Sequence, residues 1–510
     1  MNIKYFYLIL FTLFIFSCKE KNSTSTTNNN YCQNIKRDSS MSLSSALEEI
    51  QPLMKKKTGV YVLEDGGTAM VTRAWLCEYA EKSIDIQYFI FSTDNIGLIA
   101  CDYLVRAADR GVKVRLLIDD IMVDAGFNDI LTLDSHKNIE IKIYNPGVNL
   151  GKNLFQKIGK FASDFRSANQ RMHNKTFIVD NQVVISGGRN IADEYFDYDH
   201  TYNFRDRDVL LLGKETKKVN ASFKTFWEST LSISATKLVT ELPNNLTDKN
   251  RFSKLHEYAC NPENFWPQVR SKIENLPQTF ADLKNSGNLV WTDSVSFVSD
   301  FPGKNDGESG LGGGGITTSK LIKLVKNAKH TINIQTPYLI TSDLSKNLFR
   351  EAIKRGVKVR VLTNSLASTD NVEAFSSYQT DRKKLLQTGI RIFEFRPDAK
   401  ERLKIMTGDL QKELDYKPIF GLHAKSMVVD GKTTVIGTFN LDPRSANLNT
   451  ECISIIHSKK IADNVLKGME EEFKPENSWE ITMNFNPDSK VSAYKRVKTW
   501  TRKVLPKDIL

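Results

Sequence analysis

The sequence predicts an α/β fold of two homologous domains, each a mixed, largely parallel sheet flanked by helices, related by pseudo-twofold symmetry. One observation behind this prediction is an internal repeat: residues 82–120 and 330–365 share a strand, helix, strand pattern, down to the pentapeptide GVKVR. The other is a motif of histidine, lysine, aspartate, glycine and asparagine that follows each copy. We therefore expect two copies of one unit in this chain of 510 residues.

Each copy has the periodicity of a βαβ unit. It begins with strict alternation of apolar residues, as at Ile84 and Ile86, which indicates a strand with one buried face. Apolar residues at spacings of three and four then predict a helix that ends near Gly111 or Gly356, and a β-branched strand follows. Such units predict parallel pairing with a right-handed crossover.

The histidine motif occurs twice with identical spacing. The first copy contains His173, Lys175, Asp180, Gly187, Gly188 and Asn190, and the second contains His423, Lys425, Asp430, Gly437, Thr438 and Asn440. In both, the apolar run ending at the aspartate predicts a strand, and the residues after it predict a tight hairpin.

These repeats set the predicted domain boundaries. We expect a first domain over 46–245, a less regular connecting segment over 246–289 and a second domain over 290–510. The glycine-rich stretch 302–320 is too rich in glycine for regular structure, and it is either a mobile loop at a site or a simple connector. We favour the loop at a site.

The N-terminus predicts export. Residues 1–17 contain an apolar run too short to span a membrane, which is typical of a signal peptide. The run stops abruptly at Cys18 and resembles a bacterial lipoprotein signal, in which this cysteine is lipidated; a plain signal peptide or an uncleaved anchor is the alternative. Residues 18–45 are rich in Ser, Thr and Asn and predict a flexible tether.

Composition limits the classes of function. With 40% hydrophobic and 26% charged residues the chain is globular, which excludes a disordered protein. The net charge of +11 favours polyanionic partners such as nucleic acid or anionic lipid headgroups, although a solvated surface explains it as well. The five cysteines beyond Cys18 have no metal-ligand spacing; Cys101 and Cys452 are interpreted as core residues, and any disulfide stays open.

The motif residues point to phosphate chemistry. In extended backbone, residues i and i+2 share a face, so each histidine lies beside a lysine, which favours an anion between them. Two copies around a pseudo-twofold axis would surround one phosphoryl group with two histidines, two lysines and two asparagines. Because the lysines supply the charge stabilisation, we expect neither a metal nor another cofactor.

A duplicated histidine suits cleavage of a phosphodiester. One imidazole attacks phosphorus and the other protonates the leaving oxygen, and the nucleophile needs an acidic partner on its second ring nitrogen. Glu451 follows His423 at the start of a predicted strand, and Asp206 occupies the corresponding place in the first half. Asp180 and Asp430 should point away from the site and anchor the turns.

The spaced motif resembles the HKD signature of the phospholipase D superfamily, and stretches such as "RMHNKTFIVD" and "NLDPRSANLNTE" are similar to bacterial cardiolipin synthases. This resemblance implies two phospholipase D-like domains, with His173 as nucleophile and His423 as general acid and base. It also implies phosphate binding by the motif lysines and asparagines, and Glu451 and Asp206 as the histidine partners. Gly188 and Thr438 depart from the family pattern, where serine often follows the first glycine.

The resulting hypothesis is a phosphatidyltransferase or phospholipase D that acts on phospholipids at the extracytoplasmic face of a membrane. Its predicted partners are phospholipids and the membrane surface rather than nucleic acid, and one chain carries both motifs, so a monomer suffices for the site. The basic tail 495–510, with Trp500 among cations, is either a contact for anionic headgroups or a plain solvated helix. A nuclease of the same superfamily and a non-catalytic lipid-binding lipoprotein are the alternatives.

Overall fold

A computed structural model describes residues 32, 42–122, 126–147, 169–239, 242, 246, 248, 250–305, 312–406, 417–504 and 507. The predicted signal peptide, the lipidation site Cys18 and most of the predicted tether lie outside the described residues. Among the residues described, none of the helices combines the length and the apolar character needed to cross a bilayer.

Nine strands form the sheet of the first half. In chain order these are β1 (Thr58–Leu63), β2 (Ser83–Tyr88), β3 (Lys113–Asp119), β4 (Ile139–Tyr144), β5 (Thr176–Val179), β6 (Val183–Gly187), β8 (Asp208–Gly213), β9 (Ser232–Ser234) and β10 (Val290–Thr292). Their order across the sheet is β10-β1-β8-β6-β5-β2-β3-β4-β9. Strand β7 (Tyr202–Arg205) leaves this sheet and pairs elsewhere.

Eight strands form the sheet of the second half. They are β11 (Val295–Ser299), β12 (Thr331–Gln335), β13 (Lys358–Asn364), β14 (Arg391–Phe395), β16 (Ser426–Val429), β17 (Thr433–Gly437), β18 (Cys452–His457) and β19 (Ser478–Ile481). The order β11-β18-β17-β16-β12-β13-β14-β19 repeats that of the first half. Strand β15 (Ile419–Leu422) pairs in parallel with β7, so one small sheet joins the two halves.

Over the described ranges the chain forms sixteen α-helices. In chain order they are α1 (Leu43–Ala46), α2 (Gln51–Lys56), α3 (Gly66–Tyr79), α4 (Asn95–Asp109), α5 (Phe127–Asp134), α6 (Thr216–Trp227), α7 (Ser253–Ala259), α8 (Pro267–Glu274), α9 (Thr279–Asn285), α10 (Ile316–Asn327), α11 (Asp343–Lys354), α12 (Val372–Leu386), α13 (Arg402–Ile405), α14 (Pro443–Asn447), α15 (Lys459–Glu472) and α16 (Ala493–Thr501).

The predicted βαβ units and mixed sheets are confirmed, but the expectation that the sheets are largely parallel is wrong. Within the described residues, parallel pairing in the two large sheets is confined to β2–β3, β3–β4 and their counterparts β12–β13 and β13–β14. The other ladders are antiparallel. Each histidine motif continues as a hairpin, β5–β6 or β16–β17, and strands far apart in the chain, such as β1 and β8 or β4 and β9, also pair antiparallel. The sequence periodicity identified the crossover units and gave no signal for these long-range antiparallel pairs.

The hydrophobic core lies in three layers. Helices α3 and α4 cover the outer face of the first sheet, and α10 and α11 cover the outer face of the second. Between the sheets, buried apolar side chains from both halves form one cluster, which includes Ile178 and Val184 from the first sheet and Val428 and Cys452 from the second. The halves therefore share a core and are held face to face.

The chain passes from one sheet to the other just after the connecting segment. That segment contains helices α7, α8 and α9, which pack on α3 and α4 of the first half. Strand β10, beyond the predicted start of the second domain at 290, still pairs with β1, whereas β11 pairs with β18. The change of sheet therefore falls between Thr292 and Val295.

The cysteines show one feature that the sequence left open. Cys32, within the predicted tether, forms a disulfide with Cys260 at the end of α7. Cys452 is buried and Cys101 packs against the core, as expected. The disulfide attaches the N-terminal segment covalently to the first half.

The carboxylates of both motif aspartates bind backbone N–H groups and do not face the site. The carboxylate of Asp180 accepts hydrogen bonds from three successive N–H groups at the start of β2, at 2.7–2.8 Å, and Asp430 does the same at the start of β12, at 2.7–2.9 Å. Each aspartate also begins a two-residue turn with positive φ, of 50° at Asp180 and 53° at Asp430, as the sequence predicted for a hairpin. The aspartates therefore tie the hairpin to the central strand.

We expect Asp180→Asn to lower stability without removing the chemistry. An amide has one acceptor oxygen and cannot satisfy three N–H groups as a carboxylate does, so the free energy of unfolding should fall by about 1–3 kcal/mol. Denaturant unfolding of Asp180→Asn and of its counterpart Asp430→Asn would measure this loss. A variant as stable as the parent, or one that is fully folded yet inactive, would contradict the anchoring role.

Candidate active site

The backbone of each histidine is hydrogen-bonded to the opposite half of the chain. The N–H of His173 donates to the carbonyl of Thr450 in the second half at 3.0 Å. Reciprocally, the N–H of His423, directly after β15, donates to the carbonyl of Arg205 in the first half at 2.8 Å. A backbone hydrogen bond to the opposite half therefore positions each histidine motif at the site. Both motifs belong to one chain.

Each histidine also pairs with a carboxylate from the opposite half. His173 Nδ1 lies 2.9 Å from a carboxylate oxygen of Glu451, and His423 Nδ1 lies 2.6 Å from one of Asp206. The predicted partners are thus both present, and each carboxylate comes from the half opposite to its histidine. This contact orients both rings and leaves Nε2 for chemistry.

The lysines lie next to the histidines in a largely dehydrated site. Lys175 Nζ donates to the backbone carbonyl of His173 at 2.9 Å, and Lys425 Nζ lies 2.7 Å from that of His423 and 3.1 Å from its Nε2. All four side chains are buried. His173 and Lys175 precede β5, and both side chains lie beside the Phe89 ring, with centroids 5.1 Å apart for His173 and Nζ 5.5 Å from the centroid for Lys175, so they share one side as the i, i+2 spacing predicted.

The two asparagines are also buried beside the histidines. Asn190 accepts the N–H of Ile90 at 3.1 Å and hydrogen-bonds the hydroxyl of Tyr195, whose ring packs edge-on against His423 with centroids 5.1 Å apart. The backbone N–H of Asn440 donates to the Ser445 hydroxyl at 3.2 Å. The loop with Asn190 is therefore fixed beside His423, and Asn440 is tied to Ser445, which hydrogen-bonds Glu451, the partner of His173.

The departures from the family pattern at 188 and 438 have steric and polar reasons. A Cβ on Gly188 would lie 2.1 Å from a carboxylate oxygen of Asp206, so only glycine leaves room for that carboxylate. At the equivalent position the Thr438 hydroxyl donates to Glu451. Gly187 and Gly437 are equally constrained, since a Cβ there would lie 2.3 Å from Asp208 Oδ1 and from the Cys452 carbonyl respectively.

The two histidines differ in their electrostatic surroundings. Burial lowers the pKa of His173 well below its ordinary value, and the charges of Lys175 and Lys425 lower it further. Burial and Lys425 lower the pKa of His423 to about 4, but Asp206 opposes them. Burial would raise the pKa of Asp206, yet His423 and Lys425 hold it well below its usual range, so this carboxylate is ionised.

The lysines and Glu451 have strongly displaced pKa values. Burial and the neighbouring Lys425 lower the pKa of Lys175 to about 7, and burial lowers that of Lys425 to about 8. Burial raises the pKa of Glu451 to about 8, against the hydrogen bond from Thr438. A buried anion would relieve the repulsion between the lysines and raise both of their pKa values.

Several supporting residues escaped the sequence analysis. Asp300 accepts the backbone N–H of Glu451 at 3.1 Å and pairs with the buried Lys304 at 2.9 Å, which places the glycine-rich segment beside the site. Asp370 accepts the Tyr338 hydroxyl at 2.8 Å, and its charge acts on both His423 and Lys425. Neither aspartate belongs to a repeated motif, so the repeat carried no signal for them.

Residues that approach closely enough to share a metal lie elsewhere. Within the described ranges, the group of three or more whose ligating atoms lie within 4.8 Å of one another is Cys32, His256 and Cys260, and the two cysteines are joined in the disulfide. Lys175 and Lys425 lie beside the two histidines, and their positive charges disfavour a cation there.

The fold and the paired histidine, lysine and asparagine motifs define a phosphodiester-transferring enzyme. A family described as "Cardiolipin synthase, PLD-like domain" matches residues 76–227 and 321–474, one segment in each half. The chain belongs to this family, and the resemblance to the phospholipase D superfamily is confirmed.

Individual relatives agree. Cardiolipin synthase C of Escherichia coli K12 is 33% identical over 412 residues, which cover 79% of this chain and 82% of that protein. A protein of Helicobacter pylori strain J99 is 33% identical over 432 residues, which cover 84% of this chain and 81% of its own. The crystal structure of phosphatidylserine synthase from Haemophilus influenzae Rd KW20 matches 91% of this chain and 100% of its own, with a TM-score of 0.57 and 14% identity, which supports the fold.

The displaced pKa values predict an alkaline loss of activity. As pH rises through about 7 to 8, the free enzyme loses the positive charges of Lys175 and Lys425 and gains the negative charge of Glu451. All three changes weaken binding of an anion, so kcat/KM for a phosphodiester such as bis(p-nitrophenyl) phosphate should fall. The fall should lie mainly in KM, because bound phosphate raises the lysine pKa values.

The variant Lys175→Arg provides the matched comparison, because arginine stays charged throughout this range. Its residual activity should fall at higher pH than that of the parent. A profile of kcat/KM that is flat across this range in the parent would contradict the assignment.

Proposed function

We propose that this protein is a phospholipase D-type phosphatidyltransferase, similar to cardiolipin synthases, that acts on membrane phospholipids through a phosphohistidine intermediate. The observation that carries the proposal is the reciprocal arrangement in which each histidine is oriented by a carboxylate from the other half. Because Nδ1 of each histidine binds its carboxylate, the two Nε2 atoms remain available to one phosphodiester, and two buried lysines lie beside them. The similarity to cardiolipin synthase C supports phosphatidyl transfer in particular.

In the first step, His173 Nε2 attacks the phosphorus of the donor phospholipid. A P–N bond forms, the P–O bond to the headgroup alcohol breaks, and His423 gives its proton to the leaving oxygen. The surroundings support this order, because burial and the nearby lysines keep His173 neutral, with a free lone pair, whereas ionised Asp206 partly offsets the same effects at His423 and makes protonation of His423 the less costly of the two. The lysines stabilise the negative charge on the non-bridging oxygens.

In the second step, an alcohol takes the place of the departed headgroup. His423 now accepts the proton of the incoming hydroxyl, whose oxygen attacks phosphorus and breaks the P–N bond, restoring His173. The hydroxyl of a second phospholipid yields a product with two phosphatidyl groups, and water yields phosphatidic acid. The same residues serve both acceptors, so transferase and hydrolase differ only in which hydroxyl reaches phosphorus.

We expect His173→Ala to abolish turnover of phosphatidylglycerol. His423→Ala should lower it by at least about 100-fold, because the acid and base catalyst is lost. A donor with a good leaving group, such as a p-nitrophenyl phosphodiester, needs little acid catalysis. With that donor His423→Ala should still accumulate phosphoenzyme while His173→Ala forms none. Mass spectrometry of rapidly quenched protein would locate the modified histidine.

Three controls accompany these variants. Chelation with EDTA should leave the parent activity intact, since the buried lysines provide the charge stabilisation. DNA should not be cleaved at a rate comparable to phospholipid turnover. Near-normal activity of His423→Ala, EDTA inactivation reversed by Mg²⁺ or Zn²⁺, or a preference for DNA would each overturn part of the proposal.

The proposal includes a docking surface for an anionic phospholipid bilayer on α16. Tyr494, Val497, Trp500 and Val504 are exposed by 79%, 61%, 68% and 85% and follow each other at spacings of three to four residues. They form an apolar stripe opposite the buried Thr499, and lysines and arginines flank it. An exposed apolar stripe between cations is typical of helices that lie in a membrane interface. Asp370 acts electrostatically on both His423 and Lys495 of α16, which supports a position near the site.

Replacement of Trp500 and Val497 by Asp should weaken binding to vesicles that contain phosphatidylglycerol and lower the rate on those vesicles. The rate on monomeric short-chain phospholipid should not change, because these side chains lie outside the catalytic machinery. Co-sedimentation with vesicles of rising phosphatidylglycerol content measures the effect. The matched control is the double variant Leu403→Asp and Leu242→Asp, since both leucines are exposed and lie outside the stripe; equal losses in both proteins would exclude a specific surface.

We also propose an extracytoplasmic location with a lipid anchor on Cys18. The Cys32–Cys260 disulfide supports export, since disulfides persist in oxidising compartments. Cys32 lies 14 positions after Cys18 in the sequence. A chain of that length spans at most roughly 50 Å, so an anchor on Cys18 would keep the first half near the bilayer.

Cys18→Ser should release a folded protein from the membrane fraction. This variant should keep its activity on dispersed short-chain phospholipid and lose much of it on native membranes, because the anchor raises the local concentration of substrate. Fractionation of cells fed radiolabelled palmitate measures both properties. An unlabelled parent protein, or a Cys18→Ser protein that remains fully bound, would exclude the lipoprotein hypothesis.

A further inference from the structure

The second half contains a cavity of about 550 Å³. It lies between helices α10 and α11 and the outer face of the second sheet. Most of its lining is apolar and includes Leu321, Val325, Ile334, Leu348, Phe349, Met427, Val435 and Ile453. The lining also includes both the buried Lys425 and Leu344, which is 55% exposed, so the cavity connects the surface with the catalytic lysine. Its volume is within the range of pockets that hold organic ligands.

The pseudo-twofold repeat provides an internal comparison. The equivalent space in the first half, between α3 and α4, has a volume of about 50 Å³. Five aromatic side chains line it, among them Tyr88, Phe177 and Phe196. The aligned repeats place the smaller or more flexible Thr336, Met427 and Ala446 at the positions of these three in the second half, and all three line the large cavity. The absence of an aromatic ring at these three positions therefore contributes to the asymmetry.

We propose that this cavity binds one acyl chain of the phospholipid whose phosphoryl group lies between Lys175 and Lys425. The inference rests on the proposed phosphatidyl transfer and adds where the diacylglycerol part of the substrate goes. An acyl chain suits the cavity because one end of its lining is a phosphate-binding lysine while the remainder is mainly apolar. The exposed Leu344 at the rim allows a chain to enter from the bilayer without crossing polar surface.

The asymmetry also assigns the two halves different tasks. The narrow space between α3, α4 and the first sheet is too small for an acyl chain. The acyl chain of the retained phosphatidyl group would therefore extend from the site past Lys425 into the second half, and the first half would contribute no acyl pocket.

The test replaces two residues of the second-half cavity by the aromatic residues found at the equivalent positions of the first half. Ala446→Phe copies Phe196 and Met427→Phe copies Phe177, and both should reduce the cavity. With monomerically dispersed phosphatidylglycerols of increasing chain length, kcat/KM of the parent should rise roughly fourfold per added CH₂ until the cavity is filled. The variants should lose this rise while keeping the parent kcat on the shortest lipid. Thermal unfolding would verify that they fold.

Leu344→Gln and its control Leu403→Gln separate the rim from general surface effects, since both leucines are exposed and only Leu344 lines the cavity. Only Leu344→Gln should flatten the dependence on chain length. A photoreactive phosphatidylglycerol with a diazirine at the chain end provides a readout independent of turnover, and its label should map to α10 or α11.

The possible outcomes separate this inference from the function on which it rests. Transfer of phosphatidyl groups with unchanged chain-length dependence in Ala446→Phe and Met427→Phe, or a label outside α10 and α11, overturns the acyl pocket and leaves the proposed function intact. Absence of phospholipid turnover by the parent overturns both. If both filling variants unfold, the position of the photolabel in the parent decides.

Discussion

The active site depends on one reciprocal interaction: each half supplies a backbone carbonyl and a carboxylate that hydrogen-bond the histidine of the other half. His173 binds the Thr450 carbonyl and Glu451, and His423 binds the Arg205 carbonyl and Asp206. Buried charged groups are costly unless they are paired, so neither half can bury its own motif alone at low cost. The shared core between the sheets and the joint β7–β15 ladder hold the halves in the one arrangement that satisfies both pairs.

Near-symmetric backbones place the two histidines of the one site in unequal electrostatic surroundings. Gly188 leaves room for the Asp206 carboxylate, which stays ionised beside His423, whereas Thr438 fills that space and donates to Glu451, whose pKa burial raises to about 8. The departure from the family pattern at these two positions is therefore linked to a difference between the histidines. A duplicated unit can divide nucleophilic and acid–base work in this way without any change in the histidine motif itself.

The repeat made the fold class and the eight proposed site residues predictable from the sequence, because periodicity and spacing are local properties. The exchange of partners was not predictable, since Glu451 lies 278 residues from His173 and Asp206 lies 217 from His423. Asp300 and the Cys32–Cys260 disulfide escaped for the same reason: each depends on contacts between segments with no shared pattern. The preference for parallel strands was wrong because βαβ units have a local sequence signal, whereas most of the antiparallel ladders join strands far apart in the chain, such as β1 with β8 and β4 with β9.

In the proposed function, the paired lysines of the site and its one-sided cavity act on the same substrate. Burial lowers the pKa values of both lysines, and Lys425 lowers that of Lys175 further, so a phosphodiester anion between them would stabilise both charges. Electrostatic attraction of this kind is equally strong for any phosphodiester and cannot select a lipid. An apolar cavity that begins at Lys425 adds free energy in proportion to the acyl surface it buries. In the proposed function, charge therefore accounts for binding of the phosphoryl group, and selection among phosphodiesters has to come from the asymmetry between the halves.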